Sequence, residues 1–149
     1  MRLPDTIRKQ FVHYGRQGGK ARAAKLGPEA RQATARRAAA SRWIRDRFGE
    51  SSFAALGLPG GEMVDTGLKH LADGTVSAES LLLSLAAPRL RREGIPVGQV
   101  LPEPENRLYD LLSAEAGDLA HARYRAHLQQ IASFADACHL VRRPRSPDA

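Results

Sequence analysis

Four leucines crowded into one segment constrain the fold more than any other feature of this sequence. The stretch "TVSAESLLLSLAAP" carries them at Leu81, Leu82, Leu83 and Leu85. At about 100° per residue these side chains cover nearly the whole circumference of a helix, which therefore needs other elements around it at the centre of a core. Thr75 or Ser77 is placed to cap this helix, and Pro88 is expected to kink it or to start a new turn.

Apolar residues at helical spacing predict three further helices around the central one. The stripes are Val64, Leu68 and Leu71 in residues 62–73, then Leu108, Leu111 and Leu112 in residues 105–116, then Tyr124, Leu128, Ile131, Ala135 and Cys138 in a last helix that ends near residue 139. Gly117 should end the second of these helices, and Asp118 should cap the third. No segment shows the alternation or the β-branched enrichment of strands. The predicted class is therefore all-α, a basic N-terminal arm and helix followed by a small helical bundle.

The positive charge of the chain is confined to its N-terminal third. Residues 1–50 hold 13 Lys or Arg against 4 Asp or Glu, whereas residues 51–149 hold 10 against 12. A basic segment joined to a mildly acidic body is typical of a protein whose one end binds polyanions. DNA and RNA fit this pattern better than a membrane surface, because the basic half lacks a sustained apolar stripe and no apolar run approaches the roughly 20 residues of a bilayer span.

Within this basic third, residues 28–48 predict a long helix and residues 5–14 a short one. The long helix opens on Pro28 and Glu29 and is rich in alanine and arginine, all favourable choices. Its apolar face is interrupted by Arg37, so it has little to bury by itself. The short helix should end at Gly15, Gly18 and Gly19.

The stretch "YGRQGGKARA" also invites comparison with a phosphate-binding loop of the form G-x-x-x-x-G-K-[ST]. Gly19 and Lys20 fit that form, but Tyr14 stands in place of the first glycine and Ala21 in place of the hydroxyl. The charged residues upstream are also unlike the buried strand that delivers such a loop. The sequence therefore does not predict a nucleotide-binding loop.

Composition divides the chain into four parts. Residues 1–48 form the basic arm and helix, residues 49–61 a linker rich in glycine and proline, residues 62–141 the leucine-rich helical domain, and residues 142–149 a disordered basic tail. With one cysteine, the chain has no internal disulfide, and no apolar signal region opens it. We expect a cytoplasmic protein on these grounds.

No group of residues predicts catalysis. The five histidines lie apart, and none has a neighbour at zinc-ligand spacing. Cys138 belongs to the apolar stripe of the last helix, where a buried structural thiol is expected rather than a nucleophile. We therefore predict no enzymatic activity, no catalytic or metal-ligating residue and no cofactor.

The basic arm leaves three interpretations open: it engages a nucleic acid, it is a solvated arm without a specific ligand, or it is a helix for a protein partner. For nucleic acid, duplex DNA fits better than a single strand, because aromatic residues are sparse among the arginines. The candidate binding residues, with Trp43 as a packing anchor, are Arg16, Lys20, Arg22, Lys25, Arg31, Arg36, Arg37, Arg42, Trp43 and Arg45.

Residues 15–43, "GRQGGKARAAKLGPEARQATARRAAASRW", resemble a basic segment of small bacterial antitoxin-like proteins from mobile and plasmid-borne regions. That segment has the form G-G-K-A-R-A-x-x-L-S-P-E-x-R-x-x-x-A-R-x-A-A-x-x-R-W, and Gly27 departs from its usual serine. The leucine-rich part resembles the body of antitoxins that accompany nucleotidyltransferase-type toxins. The resemblance implies a cognate toxin as partner, neutralised by direct protein binding, with promoter DNA as a second ligand of the basic segment.

Two alternatives to the antitoxin remain open. One is a stand-alone DNA-binding accessory protein of a mobile element, whose helical body forms a homodimer. The other is a protein-interaction module whose arm becomes ordered only on its partner. Within the antitoxin interpretation, an alternative use of the arm is to enter the nucleotide or RNA cleft of the toxin and to compete electrostatically with its substrate.

Overall fold

In the computed structural model, residues 4–141 are described, and their regular elements are all helical. They are α1 (Asp5–Lys25), α2 (Pro28–Phe48), α3 (Gly61–Asp73), α4 (Ala78–Arg92), α5 (Pro104–Ala116), a 3-10 turn (Gly117–Leu119) and α6 (Ala120–Val141). The predicted all-α class is confirmed. The tail predicted at residues 142–149 lies outside the described residues.

The chain divides into two compact units, Met1–Ala35 and Arg36–Ala149, and the division falls inside α2. Of the described residues, 4–35 belong to the first unit and 36–141 to the second. The first unit therefore holds α1 and the beginning of α2. The second holds the rest of α2, the irregular segment 49–60 and helices α3 to α6.

Helix α4 lies at the centre of the second unit, as its leucines predict. Leu81, Leu82 and Leu83 are each at most 1% exposed, and α3, α5 and α6 surround them. Leu85 is half-buried. Each buried leucine contributes about 1.5–3 kcal/mol of hydrophobic stabilisation relative to an exposed one, so the three leucines of α4 stabilise the core strongly.

A chain of four aromatic rings joins α2 to the rest of the core. The centroids of Trp43 and Phe48 are 5.9 Å apart, those of Phe48 and Phe53 5.4 Å, and those of Phe53 and Phe134 5.0 Å, each pair packed edge to face. This geometry suits the quadrupoles of aromatic rings. Phe53 comes from the irregular segment 49–60 and is fully buried, so this segment contributes directly to the core.

The side chain of Asp65 fixes the irregular segment on α3. Its two carboxylate oxygens accept hydrogen bonds from the backbone N–H groups of Phe53 and Ala54, at 3.0 and 2.9 Å. The backbone of Phe53 also passes so close to Gly61 that a Cβ at that position would lie 2.6 Å from the Phe53 carbonyl oxygen. A glycine is therefore required where α3 begins.

Several helix ends follow the predicted signals. Ser77 caps α4, and its hydroxyl and the backbone N–H of Ser80 form one half of a capping box that the Ser80 hydroxyl completes. Gly117 ends α5 with a φ of 53°. Asp118 lies in the 3-10 turn instead of capping α6, because this turn occupies the place of a simple cap.

Helix α4 continues through Pro88 to Arg92, so Pro88 does not start a separate helix. One predicted helix end is wrong. Helix α1 continues through Gly15, Gly18 and Gly19 to Lys25, because strong helix formers flank these glycines and each glycine costs only about 1 kcal/mol relative to alanine.

Candidate functional site

Helix α1 presents two opposite stripes to solvent. Lys9, His13, Arg16 and Lys20 recur at i, i+4, i+7 and i+11 and share one face, while Ile7, Phe11 and Tyr14 share the other. The apolar side chains are 38%, 68% and 67% exposed, in that order. Every α1 side chain that the structure describes is exposed, so α1 buries nothing against its own unit.

The remaining candidate cations of the first unit flank the turn between α1 and α2. Arg22 and Lys25 lie in the last turn of α1, where the helix dipole favours positive charge, and Arg31 lies near the start of α2. All three are exposed. Within residues 4–141, none of the candidate cations on α1 or at the start of α2 has an ion-pair partner.

In the second unit, α2 separates its cations between two faces. Arg42 and Arg45 are exposed on the side of the helix turned away from buried Ile44 and Phe48. The Arg42 Nε donates a hydrogen bond to the Ala38 carbonyl at 3.3 Å, which holds the guanidinium along the helix. These two arginines can meet a ligand without disturbing the core.

The other candidates on this part of α2 lie toward the rest of the second unit. Arg37 forms an ion pair with Asp73 at the end of α3, so its charge is already compensated. Trp43 is half-buried against Phe48, and the Arg47 guanidinium lies 5.9 Å from the centre of its indole ring. Arg36 is exposed and lies beside a cleft. The five predicted residues in the second unit therefore do not share one face of α2.

The cleft lies between α2 and α3 and has a volume of about 760 Å³. We call it the α2–α3 cleft. Its lining consists of Arg36, Arg37, Ala39, Ser41, Trp43, Ile44, Ser51, Ser52, Asp65, Leu68, Lys69, Leu71, Ala72, Pro96, Gly98 and Gln99. The sequence did not predict this cleft, because its walls come from four separate segments and no local pattern links Lys69 to Arg36.

Three titratable groups of the second unit are buried or have hydrogen-bond partners. Burial, and to a lesser extent the Glu93 carboxylate, raise the pKa of the Cys138 thiol to about 12. Burial also raises the pKa of Tyr124, as does Glu105, which accepts a hydrogen bond from the Tyr124 hydroxyl at 3.2 Å. His70 Nδ1 lies 2.7 Å from the hydroxyl oxygen of Ser77, the residue that caps α4.

Over the described range 4–141, no group of three or more His, Cys, Asp or Glu side chains is arranged to hold a metal ion. In the same range, no helix has the length and apolarity to cross a bilayer. No family model, curated protein or solved structure matches this chain.

Proposed function

We propose that this protein is a DNA-binding antitoxin. Its basic helices bind duplex DNA, and its helical body binds and neutralises a protein toxin. The observation that carries the DNA-binding part is the uncompensated cationic stripe of α1, in which Lys9, Arg16 and Lys20 are exposed along one face. Cations on one helix face suit the phosphates along a groove, and counterion release then drives association.

The burial pattern of α1 supports a ligand for this helix. Most helical stability in proteins comes from the packing of a buried face rather than from propensity, and α1 contains three glycines, each unfavourable by about 1 kcal/mol relative to alanine, in its 21 residues. Because every described side chain of α1 is exposed, burial within its own unit adds little stability to this helix. A polyanion that neutralises Lys9, Arg16 and Lys20 would supply the missing free energy.

The antitoxin role rests on the resemblance of residues 15–43 and of the leucine-rich body to antitoxin-like proteins. The division of the chain supports it, because DNA binding and toxin binding need two separate surfaces. The first unit offers the cations, whereas α3 to α6 form a body with its own core. A toxin of the nucleotidyltransferase type is the proposed partner.

Salt-dependent DNA binding tests the first half of the proposal. We expect the full chain to bind a 20-base-pair duplex in fluorescence anisotropy, with log Kd linear in log salt concentration. Arg16→Gln combined with Lys20→Gln should lower the slope by about 1.8, because each lost phosphate contact removes about 0.9. The matched control is Arg123→Gln with Arg125→Gln, two exposed arginines of α6 that should leave the slope unchanged. Equal slopes for the two double variants would refute the assignment to α1.

Co-purification tests the second half. The tagged chain is isolated from its native host at moderate salt after nuclease treatment, and the proteins that remain bound are identified. A stoichiometric partner that arrests growth when it is expressed alone would support the antitoxin role. Recovery of the chain alone, with DNA binding retained, would favour the second candidate, a DNA-binding accessory protein. The exposed cations of α1 favour that candidate equally well.

A further inference from the structure

We propose that the α2–α3 cleft binds a small amphipathic anion, a molecule with an apolar body and a carboxylate, sulfonate or phosphate head. This site is separate from the cationic stripe of α1. The proposal goes beyond the DNA-binding and antitoxin roles and does not depend on either.

The size and lining of the cleft suit a small molecule. A volume of about 760 Å³ falls within the roughly 300–1,000 Å³ of ligand pockets. Apolar side chains provide most of the inner surface, from both helices and from the segment after α4: Trp43, Ile44, Leu68, Leu71, Ala72 and Pro96. The indole of Trp43 offers a flat, half-buried surface to the apolar body of a ligand.

The charged side chains at the cleft favour an anionic ligand. Arg36 and Lys69 are exposed lining residues, and neither has an ion-pair partner among residues 4–141. Asp65 also lines the cleft, but its two oxygens already accept the amide hydrogen bonds of Phe53 and Ala54. Two uncompensated cations beside an apolar cavity complement a ligand with one anionic head, because a charge-assisted hydrogen bond is about twice as strong as a neutral one.

The walls of the cleft are fixed by interactions within the second unit. The ion pair between Arg37 and Asp73 joins α2 to the end of α3. Arg91 donates from Nε to the Val97 carbonyl at 3.1 Å and from Nη2 to the Gly98 carbonyl at 2.7 Å, which holds the third wall. A cleft formed before the ligand arrives avoids part of the entropic cost of ordering its walls on binding.

Two fluorescent probes that share one apolar body test the proposal. 1-Anilinonaphthalene-8-sulfonate carries an anionic head, and N-phenyl-1-naphthylamine lacks it. The full chain is titrated with each probe, and energy transfer is followed from Trp43, the one tryptophan of the sequence. We expect the sulfonate to saturate at one molecule per chain and to bind about tenfold more tightly than the neutral probe, because the cleft cations hold its head.

Matched variants locate the probe. Arg36→Gln with Lys69→Gln should weaken sulfonate binding about tenfold and leave the neutral probe unaffected. Arg42→Gln with Arg45→Gln removes the same charge from the opposite face of α2 and should change neither probe. Ala72→Phe fills the cleft and should weaken both probes, whereas Phe11→Ala on the exposed stripe of α1 should weaken neither.

Three results would overturn the proposal. The first is equal affinity for the sulfonate and the neutral probe, which would mean that the cleft does not select an anion. The second is an equal loss of sulfonate binding in the two double-glutamine variants, which would indicate attraction by net charge. The third is sulfonate binding that Ala72→Phe leaves intact, since the probe would then lie outside the cleft.

Discussion

Residues 4–35 and residues 36–141 both form helices, but the two units differ in how far their large apolar side chains are buried. In the first unit, Phe11 is 68% exposed on a helix whose described side chains are all exposed, whereas Phe53 of the second unit is fully buried although it belongs to no helix. Within residues 4–141, the cations of α1 have no ion-pair partner, whereas two arginines of the second unit, Arg37 and Arg89, are paired with Asp73 and Asp136. The presence of a helix therefore does not indicate where the stability of this chain comes from. Stability comes from buried apolar side chains, and these lie in the second unit.

The largest expected effect compares these two phenylalanines. Phe53→Ala should lower the free energy of unfolding by about 3–5 kcal/mol, because it removes a large buried ring and leaves a cavity. Phe11→Ala removes the same atoms from an exposed position and should change the free energy of unfolding by less than about 0.5 kcal/mol. Urea unfolding followed by Trp43 fluorescence measures both. A loss of similar size for the two variants would contradict the division into a buried and an exposed unit.

The second prediction concerns the buried thiol of the second unit. Because the pKa of Cys138 is raised from 9.0 to about 12, its thiolate fraction at pH 8 should be about a thousandfold lower in the native protein than in urea, and its reaction with a disulfide reagent should be at least about tenfold slower. The thiol stays neutral in the folded state and ionises in the unfolded state from about pH 9. Its contribution to stability is therefore complete below about pH 9 and is lost as the pH rises toward 12.

Unfolding in urea at several alkaline pH values checks the sign of this effect. The free energy of unfolding should fall more steeply above pH 9 in the natural protein than in Cys138→Ala, which has no thiol to ionise. Parallel curves for the two proteins, or fast modification of the native thiol, would show that Cys138 is accessible.

The third prediction compares two glycines, whose replacement by alanine should change stability in opposite directions. A Cβ at Gly67 would lie 2.8 Å from Leu83 Cδ1 and 2.9 Å from the Glu79 carbonyl oxygen, so Gly67→Ala should destabilise the second unit by about 1–3 kcal/mol. A Cβ at Gly18 meets nothing within 4 Å. Gly18→Ala should therefore favour α1 by about 1 kcal/mol and raise the circular dichroism signal of helix at 222 nm. A stabilising Gly67→Ala would argue against the close packing of α3 on α4.

The smallest expected effect on stability is the difference between replacing two arginines of α2. Arg37→Ala removes a half-exposed ion pair with Asp73 and should cost at most about 1 kcal/mol of stability. Arg42→Ala removes an arginine without a carboxylate partner within residues 4–141 and should cost less. A double-mutant cycle with Asp73→Ala gives the coupling energy of the pair directly. Zero coupling would mean that the ion pair does not hold α2 on α3.

The sequence predicts those parts of this fold that depend on local signals. The all-α class, the central place of Leu81 to Leu83 and the cap at Ser77 follow from spacing and propensity. The burial of Phe53 does not, because it depends on Phe48 and Phe134, which are distant in sequence from one another. The three glycines of α1 do not end the helix, because the cost of each is small and no proline or cap near them supports an end.

The candidate site could also be predicted only as far as local sequence patterns reach. The sequence identified the cations of the basic third, because charge patterning is readable from composition. It could not separate Arg42 and Arg45, which are exposed, from Arg37, whose partner Asp73 lies 36 residues further along the chain. Nor could it predict that Lys69 and Arg36 line the same cleft, since a cleft assembled from four segments exists only in the folded chain.

The chain of rings from Trp43 through Phe48 and Phe53 to Phe134 has a consequence for how this protein can be divided into fragments. A fragment that begins at the leucine-rich residues, after the glycine-rich segment, would discard three of the four rings and leave Phe134 without its aromatic neighbour. The last two turns of α2 would therefore have to be inherited together with helices α3 to α6. An exchange of the basic end between related genes would preserve the core only if its junction fell before Trp43.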